Sequence, residues 1–215
     1  MIKGAIFDMD GTVLDSMYLW INIGPRFLEH IGVKTDIDVK TETKTMLFEE
    51  MNNYFNSKGL INMTLDEFAE TANSMVEEGY FNEVLVKPGV KEFLQKLKDR
   101  GIPMVLATAT DRYLLEAALK RNDVFKYFDK IYTCGEVGCD KKTTKIYDLA
   151  NEFLGTPKDE TYVFEDTLTP IKALHNSGYK VVGVHDKWAD KNRDKINELV
   201  DFYVENLNEL DIDRL

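Results

Sequence analysis

The chain has 215 residues, and its 38 acidic residues outnumber its 27 basic residues, which leaves a net charge of −11. Hydrophobic residues make up 44% and charged residues 30% of the sequence, which is typical of a globular protein and excludes a disordered chain. The acidic balance argues against nucleic acids and anionic membrane surfaces as partners, and no run approaches the roughly 20 apolar residues of a membrane span.

Short apolar runs alternate with helical periodicity along most of the chain, which predicts an α/β fold in which helices cover a parallel sheet. A helix is predicted between Pro88-Gly89 and Gly101, because apolar residues recur there at helical spacing. After the last strand we expect a charged tail. The predicted strands are, in chain order, 2–7, 102–107, 130–133, 161–164, 179–184 and 201–204.

The stretch 17–86 differs from the rest of the chain. It contains no convincing strand, Gly and Pro are sparse, and amphipathic runs that include Phe27 and Phe68 indicate helices. We therefore predict a helical domain at 17–86, inserted after the first strand of a core domain that comprises 1–16 and 87–215. The chain length, between one and two average domains, fits this organisation.

The first predicted strand ends in an acidic loop within FDMDGTVLDS, which carries Asp8 and Asp10. Two carboxylates this close repel each other and raise one pKa unless a cation lies between them. Such hard oxygen ligands are those that Mg²⁺ takes, with water and substrate phosphate completing its octahedron. Gly11 lacks the Cβ that would block the close approach of a ligand to the backbone. Taken alone, the pattern also fits an ordinary turn.

Three later strand ends also carry polar groups. In LATAT, Thr108 ends the second strand, where a hydroxyl and backbone amides can bind a phosphate or cap a helix. Lys141 and Lys142 stand before a helix in GCDKKTTKIY, and Glu165 and Asp166 directly follow an apolar strand. Ligands bind outside the carboxyl ends of the strands in an open α/β sheet, so these groups are expected near one site.

In their order along the chain, these four loops resemble the motifs of the haloacid dehalogenase-like (HAD) superfamily, and the resemblance covers nearly the whole chain. The group it resembles most is the phosphatases and β-phosphoglucomutase-like enzymes that have a helical cap after the first strand. The resemblance implies a Rossmann-like parallel sheet core with an α-helical cap. It also implies a Mg²⁺-dependent phosphatase that acts on a small phosphorylated metabolite, such as a sugar phosphate, phosphoglycolate or a nucleoside monophosphate.

The same resemblance implies a role for each motif. Asp8 would attack phosphorus and form an aspartyl-phosphate, and Asp10 would protonate the leaving group and then activate water. Counting back from Ile146-Tyr147 favours Lys141 over Lys142 as the motif lysine. The implied catalytic residues are Asp8, Asp10 and Lys141; the phosphate-binding residues are Gly11, Thr108, Ala109 and Lys141; and the Mg²⁺ ligands are Asp8, Asp10, Asp166 and Glu165, the last as a ligand or directly behind one.

The chain departs from the family pattern in two places at the edge of the site. Lys142-Thr143-Thr144 stands where the family has a Pro-rich stretch, and Pro170 stands where a Gly commonly follows the acid pair. Both departures concern the way in which a helix starts, so they leave the chemistry of the motifs unchanged.

Sugar-phosphate mutases share Asp10 and are the main alternative to a phosphatase. Trp20 stands near the place of a His in those enzymes, and 43–46 does not reproduce their Thr-x-x-Arg-like cap loop, so a phosphatase is favoured. True dehalogenases and phosphonate-cleaving relatives lack an acid at the position of Asp10. A non-catalytic binding module would have lost one of the motif acids or the lysine, and all are present.

The remaining residues give weaker expectations. Four residues of the predicted cap could contact a substrate, although the pattern favours the buried face of a helix for Trp20. Two cysteines spaced C-x4-C, without companion ligands, are expected to be reduced thiols in a cytoplasmic protein. An acidic surface without a long apolar stripe favours a monomer, and the three histidines fit no triad or metal spacing. The four cap residues are Tyr18, Trp20, Arg26 and Tyr54, the cysteines are Cys134 and Cys139, and the histidines are His30, His175 and His185.

Overall fold

The computed structural model describes residues 1–44 and 46–215; Thr45, within the 43–46 segment compared above with a mutase loop, lies outside the described residues. The described chain divides into two compact units, one of Met1–Met17 with Val84–Leu215 and one of Tyr18–Glu83. None of the helices in these ranges has both the length and the apolar composition that crossing a bilayer requires.

Within the described part of the larger unit, six parallel strands form one sheet in the order β3-β2-β1-β4-β5-β6. This confirms the predicted parallel α/β core. Strand β2 begins two residues later than predicted, directly after Pro103, which has no N–H to donate to a neighbouring strand. The strands are β1 Gly4–Phe7, β2 Met104–Thr108, β3 Lys130–Thr133, β4 Thr161–Glu165, β5 Lys180–Val184 and β6 Phe202–Val204.

The helices follow the apolar periodicity of the sequence. The predicted helix that Gly101 ends is confirmed, and its apolar face is buried over Val90, Phe93, Leu94 and Leu97. Three four-residue helices, Met17–Trp20, Val39–Glu42 and Cys134–Val137, are not predicted individually, because four residues are too few to show a period. The helices are α1 Met17–Trp20, α2 Ile23–His30, α3 Val39–Glu42, α4 Phe48–Ser57, α5 Leu65–Ser74, α6 Val90–Asp99, α7 Arg112–Arg121, α8 Cys134–Val137, α9 Lys145–Leu154, α10 Leu168–Leu174 and α11 Arg193–Leu199.

Aromatic packing fixes the central strands where they end. Phe7 of β1 and Phe164 of β4 are register partners whose rings stack with centroids 4.3 Å apart. Phe93 of α6 packs edge-on against both, at 6.4 Å and 5.5 Å. All three side chains are fully buried, and each contributes about 2–3 kcal/mol by leaving water. The residues that follow Phe7 and Phe164 therefore start from a rigid base.

The smaller unit has an aromatic core of its own. Phe27 of α2 packs on Phe68 of α5 with centroids 4.2 Å apart, and Phe55 of α4 lies within 6.3 Å of both. Phe27 and Phe68 belong to the two amphipathic runs of the sequence, so both predicted helices are confirmed. Thr64 caps α5 by accepting a hydrogen bond from the Glu67 amide.

The end of the chain is more than a charged tail, so that prediction is wrong. It forms two single turns of 3-10 helix, Leu207–Glu209 and Ile212–Arg214. Apolar residues are buried there while the charged residues between them stay exposed, so the segment gains hydrophobic burial and its charges keep their contact with water. The buried residues are Leu207, Leu210, Ile212 and Leu215.

Candidate active site

The sheet order changes direction at β1. The chain passes from β1 to β2 and β3 on one side, and then returns to place β4 on the other side of β1. In open α/β sheets the crevice at such a point, outside the carboxyl ends of the strands, is where ligands bind. Asp8 directly follows β1, Glu165 ends β4 and Asp166 follows it.

Three acids lie together at this crevice. Asp8, Glu165 and Asp166 are buried, and each offers a carboxylate oxygen within 4.8 Å of the others. Burial and the charge of Asp8 raise the pKa of Glu165 to about 7. The same two causes, together with Glu165, raise the pKa of Asp166 well above its ordinary value. Three buried carboxylates cannot all stay ionised here without added positive charge.

Lys141 supplies part of that charge. Its ammonium contacts Asp8 Oδ1 and lies 2.7 Å from Glu165 Oε1. Burial lowers the pKa of Lys141, but the two carboxylates outweigh burial and leave that pKa above its ordinary value. Tyr147 of α9, fully buried, donates to the same Oε1 of Glu165 at 2.5 Å. Lys142, by contrast, is exposed, and its amide donates to Asp140 Oδ1 at 2.9 Å.

Gly11 makes room for a carboxylate of the protein. Its φ is +85°, and a Cβ at this position would overlap the Asp166 carboxylate. The next residue, Thr12, is fully buried and donates to Asp166 Oδ1 at 3.4 Å. The space that the missing Cβ leaves at Gly11 is therefore taken up by the side chain of Asp166.

Asp10 lies outside the cluster of three acids. Its Oδ2 accepts a hydrogen bond from Thr110 Oγ1 at 2.6 Å, and its Oδ1 accepts one from Ser16 Oγ. Sequence reasoning missed Ser16 and Thr110, although Thr110 alternates with Thr108 in LATAT and so offered a signal. Two hydroxyl donors thus fix the orientation of the Asp10 carboxylate.

Thr108 is buried at the end of β2, and its hydroxyl accepts a hydrogen bond from the Thr110 amide at 3.1 Å. Helix α7 begins four residues later with Asp111 at its N-cap, so the alternative role of Thr108 as a helix cap is wrong. Ala109, the other predicted phosphate-binding residue of this loop, is exposed.

Candidate residues of Tyr18–Glu83 contact other residues of the same unit. Trp20 Nε1 donates to Tyr80 at 2.7 Å, and Arg26 donates to the Leu19 carbonyl at 2.6 Å. Tyr18 is exposed, and Tyr54 lies under the Lys58 ammonium, 5.6 Å from the ring centroid.

The histidines and cysteines form no part of the acid cluster. His185 hydrogen-bonds the Tyr203 hydroxyl at 3.0 Å, and His175 and His30 are exposed. Cys134 and Cys139 are free thiols, and burial raises the pKa of Cys134 to about 12. A thiol with so high a pKa is inert at neutral pH.

The acid cluster fits a hard divalent cation. All three residues offer carboxylate oxygens, which are the donors that Mg²⁺ prefers. Asp166 Oδ2 is buried and has no hydrogen-bond partner among the described residues. A buried acceptor without a donor costs about 1–3 kcal/mol, more when charged, and a bound cation would remove that cost.

The raised pKa values predict how the metal-free protein responds to pH. Between pH 4.5 and about 7 the folded protein keeps a proton on Glu165 that the unfolded chain has lost, so stability falls as pH rises. One such group contributes at most about 1.4 kcal/mol per pH unit. Urea unfolding in EDTA should show this decline, and Glu165→Gln should flatten it. Equal pH dependence in both proteins would contradict the assignment.

Known proteins resemble the chain along most of its length. A family model described as haloacid dehalogenase-like hydrolase matches residues 5–184. A phosphorylated carbohydrates phosphatase of Thermotoga maritima is 28% identical over 193 residues, which cover 85% of each chain. Validoxylamine A 7'-phosphate phosphatase of Streptomyces hygroscopicus subsp. limoneus is 25% identical, over 88% of this chain and 90% of its own. The crystal structure of CbbY from Rhodobacter sphaeroides with phosphate has the same fold, with a TM-score of 0.82 at 21% identity over 98% of this chain and 96% of that chain.

Proposed function

The chain belongs to the haloacid dehalogenase-like hydrolases, and from this premise we propose that it is a Mg²⁺-dependent phosphatase of small phosphorylated metabolites. The observation that carries the proposal is the buried contact of Asp8 with Lys141, beside an Asp166 oxygen that has no partner among the described residues. This arrangement combines a nucleophile, a fixed positive charge and an acceptor for a metal at the end of the central strands.

In the proposed reaction, an oxygen of Asp8 attacks phosphorus as the bond to the ester oxygen breaks, which gives an aspartyl-phosphate. The Lys141 ammonium contacts Asp8 and would offset charge on the phosphoryl oxygens. Asp8, Asp166 and the Asp10 carbonyl would hold Mg²⁺, which when bound neutralises charge that builds up on the phosphoryl group. Glu165 Oε1 already accepts hydrogen bonds from Lys141 and Tyr147. We therefore propose that Glu165 does not bind the metal itself but holds Lys141 beside Asp8.

Asp10 would transfer protons. It gives one to the leaving alkoxide, and then takes one from the water that attacks the aspartyl-phosphate and releases inorganic phosphate. The hydrogen bonds from Thr110 and Ser16 set its orientation between the two steps. Thr108 and the amide of Ala109 would bind the phosphoryl oxygens.

We infer that the helical unit Tyr18–Glu83 acts as the cap and selects the substrate. The motif loops recognise a phosphoryl group that every monoester shares, so the choice among monoesters needs residues outside them. The relative from Thermotoga maritima, which is named for phosphorylated carbohydrates, makes sugar phosphates the first class to test.

The test is phosphate release from p-nitrophenyl phosphate and a panel of metabolite monoesters, with sugar phosphates first, in Mg²⁺ and in EDTA. We expect release in Mg²⁺ that EDTA abolishes. No release from any monoester, together with isomer interconversion primed by a sugar bisphosphate, would instead identify a mutase. Release that persists undiminished in EDTA would contradict the metal dependence.

A further inference from the structure

A largely buried lysine outside the four motif loops joins two parts of the larger unit. The Lys87 side chain is 12% exposed, and its ammonium lies 3.2 Å from Asp186, which is itself buried after β5. The same ammonium donates to the carbonyl oxygens of Gly11 and His185, each at 2.5 Å. Its three N–H groups thus have three acceptors, and one of them is the backbone of the loop after β1.

The Gly11 peptide that Lys87 holds lies against Asp166. A Cβ on Gly11 would overlap the Asp166 carboxylate, and Thr12 donates to that carboxylate at 3.4 Å. The Gly11 N–H donates to the Leu14 carbonyl at 2.8 Å, so both backbone groups of Gly11 are hydrogen-bonded. The position of this peptide therefore limits where the Asp166 carboxylate can lie.

The charges of the pair also reach Asp166. Among the causes that act on the Asp166 pKa, Asp186 raises it and Lys87 lowers it, after the larger effects of burial, Asp8 and Glu165. Because the two charges of the pair oppose each other at Asp166, the pair is poorly suited to act on the acid cluster through charge alone. The direct hydrogen bond to Gly11 is the stronger connection.

We propose that Lys87, held by Asp186, is a positioning residue that fixes the Gly11 peptide and thereby holds Asp166 in place to bind the metal ion. This inference rests on the proposed function, since it takes Asp166 to be a metal ligand. In this role Lys87 acts through its hydrogen bond to the Gly11 carbonyl.

The direction in which Lys87→Met changes the affinity for a cation distinguishes a positioning role of Lys87 from a purely electrostatic one. Lys87→Met removes a positive charge near the acid cluster, so electrostatics alone predicts tighter binding of a cation. If Lys87 positions Asp166, the same substitution weakens cation binding. Removing a residue that holds a metal ligand in place typically lowers the metal affinity about 10–100-fold. We therefore expect a loss of about tenfold.

Mn²⁺ binding measured by electron paramagnetic resonance, without substrate, provides the readout. Lys87→Met leaves Asp186 buried without its partner, so the double variant Lys87→Met/Asp186→Leu is measured as well; it keeps the pair neutral and apolar. The matched control is Lys180→Met, which breaks a Lys–Asp pair of 2.9 Å with Asp201 at the other end of β5. We expect about tenfold weaker binding in both Lys87 variants and unchanged binding in the control.

Unchanged or tighter Mn²⁺ binding in the folded Lys87 variants would overturn the inference, and thermal unfolding shows which variants are folded. If Lys87→Met does not fold, the double variant decides. The variant Asp166→Asn distinguishes a failure of the positioning role of Lys87 from a failure of the proposed metal site. If the wild type binds Mn²⁺ and Asp166→Asn binds it equally well, Asp166 is not a ligand, and the metal site falls along with the inference.

Discussion

Replacing Asp8 by asparagine is expected to abolish phosphate release while the protein stays folded. An amide is a poor nucleophile, and losing the nucleophile of a covalent mechanism costs about 10⁴-fold or more in kcat. Folding should survive, because the substitution removes one charge from a buried group of three acids and leaves Lys141 paired with Glu165 at 2.7 Å. The measurement is phosphate release in Mg²⁺, with thermal unfolding as the check on folding.

The matched control for this variant is Asp159→Asn. Asp159 is exposed on the turn before β4, so the same change of charge and size there should leave the activity unchanged. Turnover in Asp8→Asn at more than about a hundredth of the wild-type rate would rule out Asp8 as the nucleophile.

The second large effect is expected at Lys141. Lys141→Ala should lower kcat by about 10²–10³-fold, since it removes the fixed positive charge that offsets the phosphoryl oxygens. Lys142→Ala should change kcat by less than about twofold, because exposed substitutions away from a site have small effects. The two adjacent lysines thus control for each other, and kcat for a monoester measures both. A larger loss in Lys142→Ala than in Lys141→Ala would contradict the assignment of the motif lysine.

The parts of the site that sequence patterns predicted are those that depend on strand ends. Asp8, Thr108 and the acid pair Glu165-Asp166 each come at the end of an apolar run, and parallel strands bring such ends to one edge of a sheet. The adjacent lysines could be separated only by counting back from the Ile146-Tyr147 pair of α9. For these residues, the apolar run before each one marks the end of a strand, and the parallel sheet places all such ends at one edge.

The contacts that sequence reasoning missed join residues far apart in the chain. Lys87 and Gly11 are 76 residues apart, and Lys87 and Asp186 are 99 apart. No local period relates them, and a lysine before Pro88-Gly89 looks like an ordinary loop residue. The loop at Gly11 shows the same limit. The sequence points to the glycine, but only the folded sheet brings Asp166 next to it.

Asp10 shows a different limit. Its place two residues after Asp8 was evident, but a spacing of two does not say which hydroxyls fix its carboxylate. Thr110 lies 100 residues away at the end of another strand, and Ser16 lies only 6 residues away across a turn. Serine and threonine are common in loops, so nothing in the sequence marks Ser16, and only the alternation with Thr108 in LATAT points to Thr110.

The most direct test of the nucleophilic role of Asp8 is mass spectrometry of enzyme quenched in acid during turnover, with Asp8→Asn and an EDTA sample in parallel. The account predicts one phosphoryl group on the peptide that contains Asp8, located at that carboxylate, and no phosphoryl group in either parallel sample. A phosphoryl group on any other residue, formed with Mg²⁺ and turned over with the substrate, would contradict it.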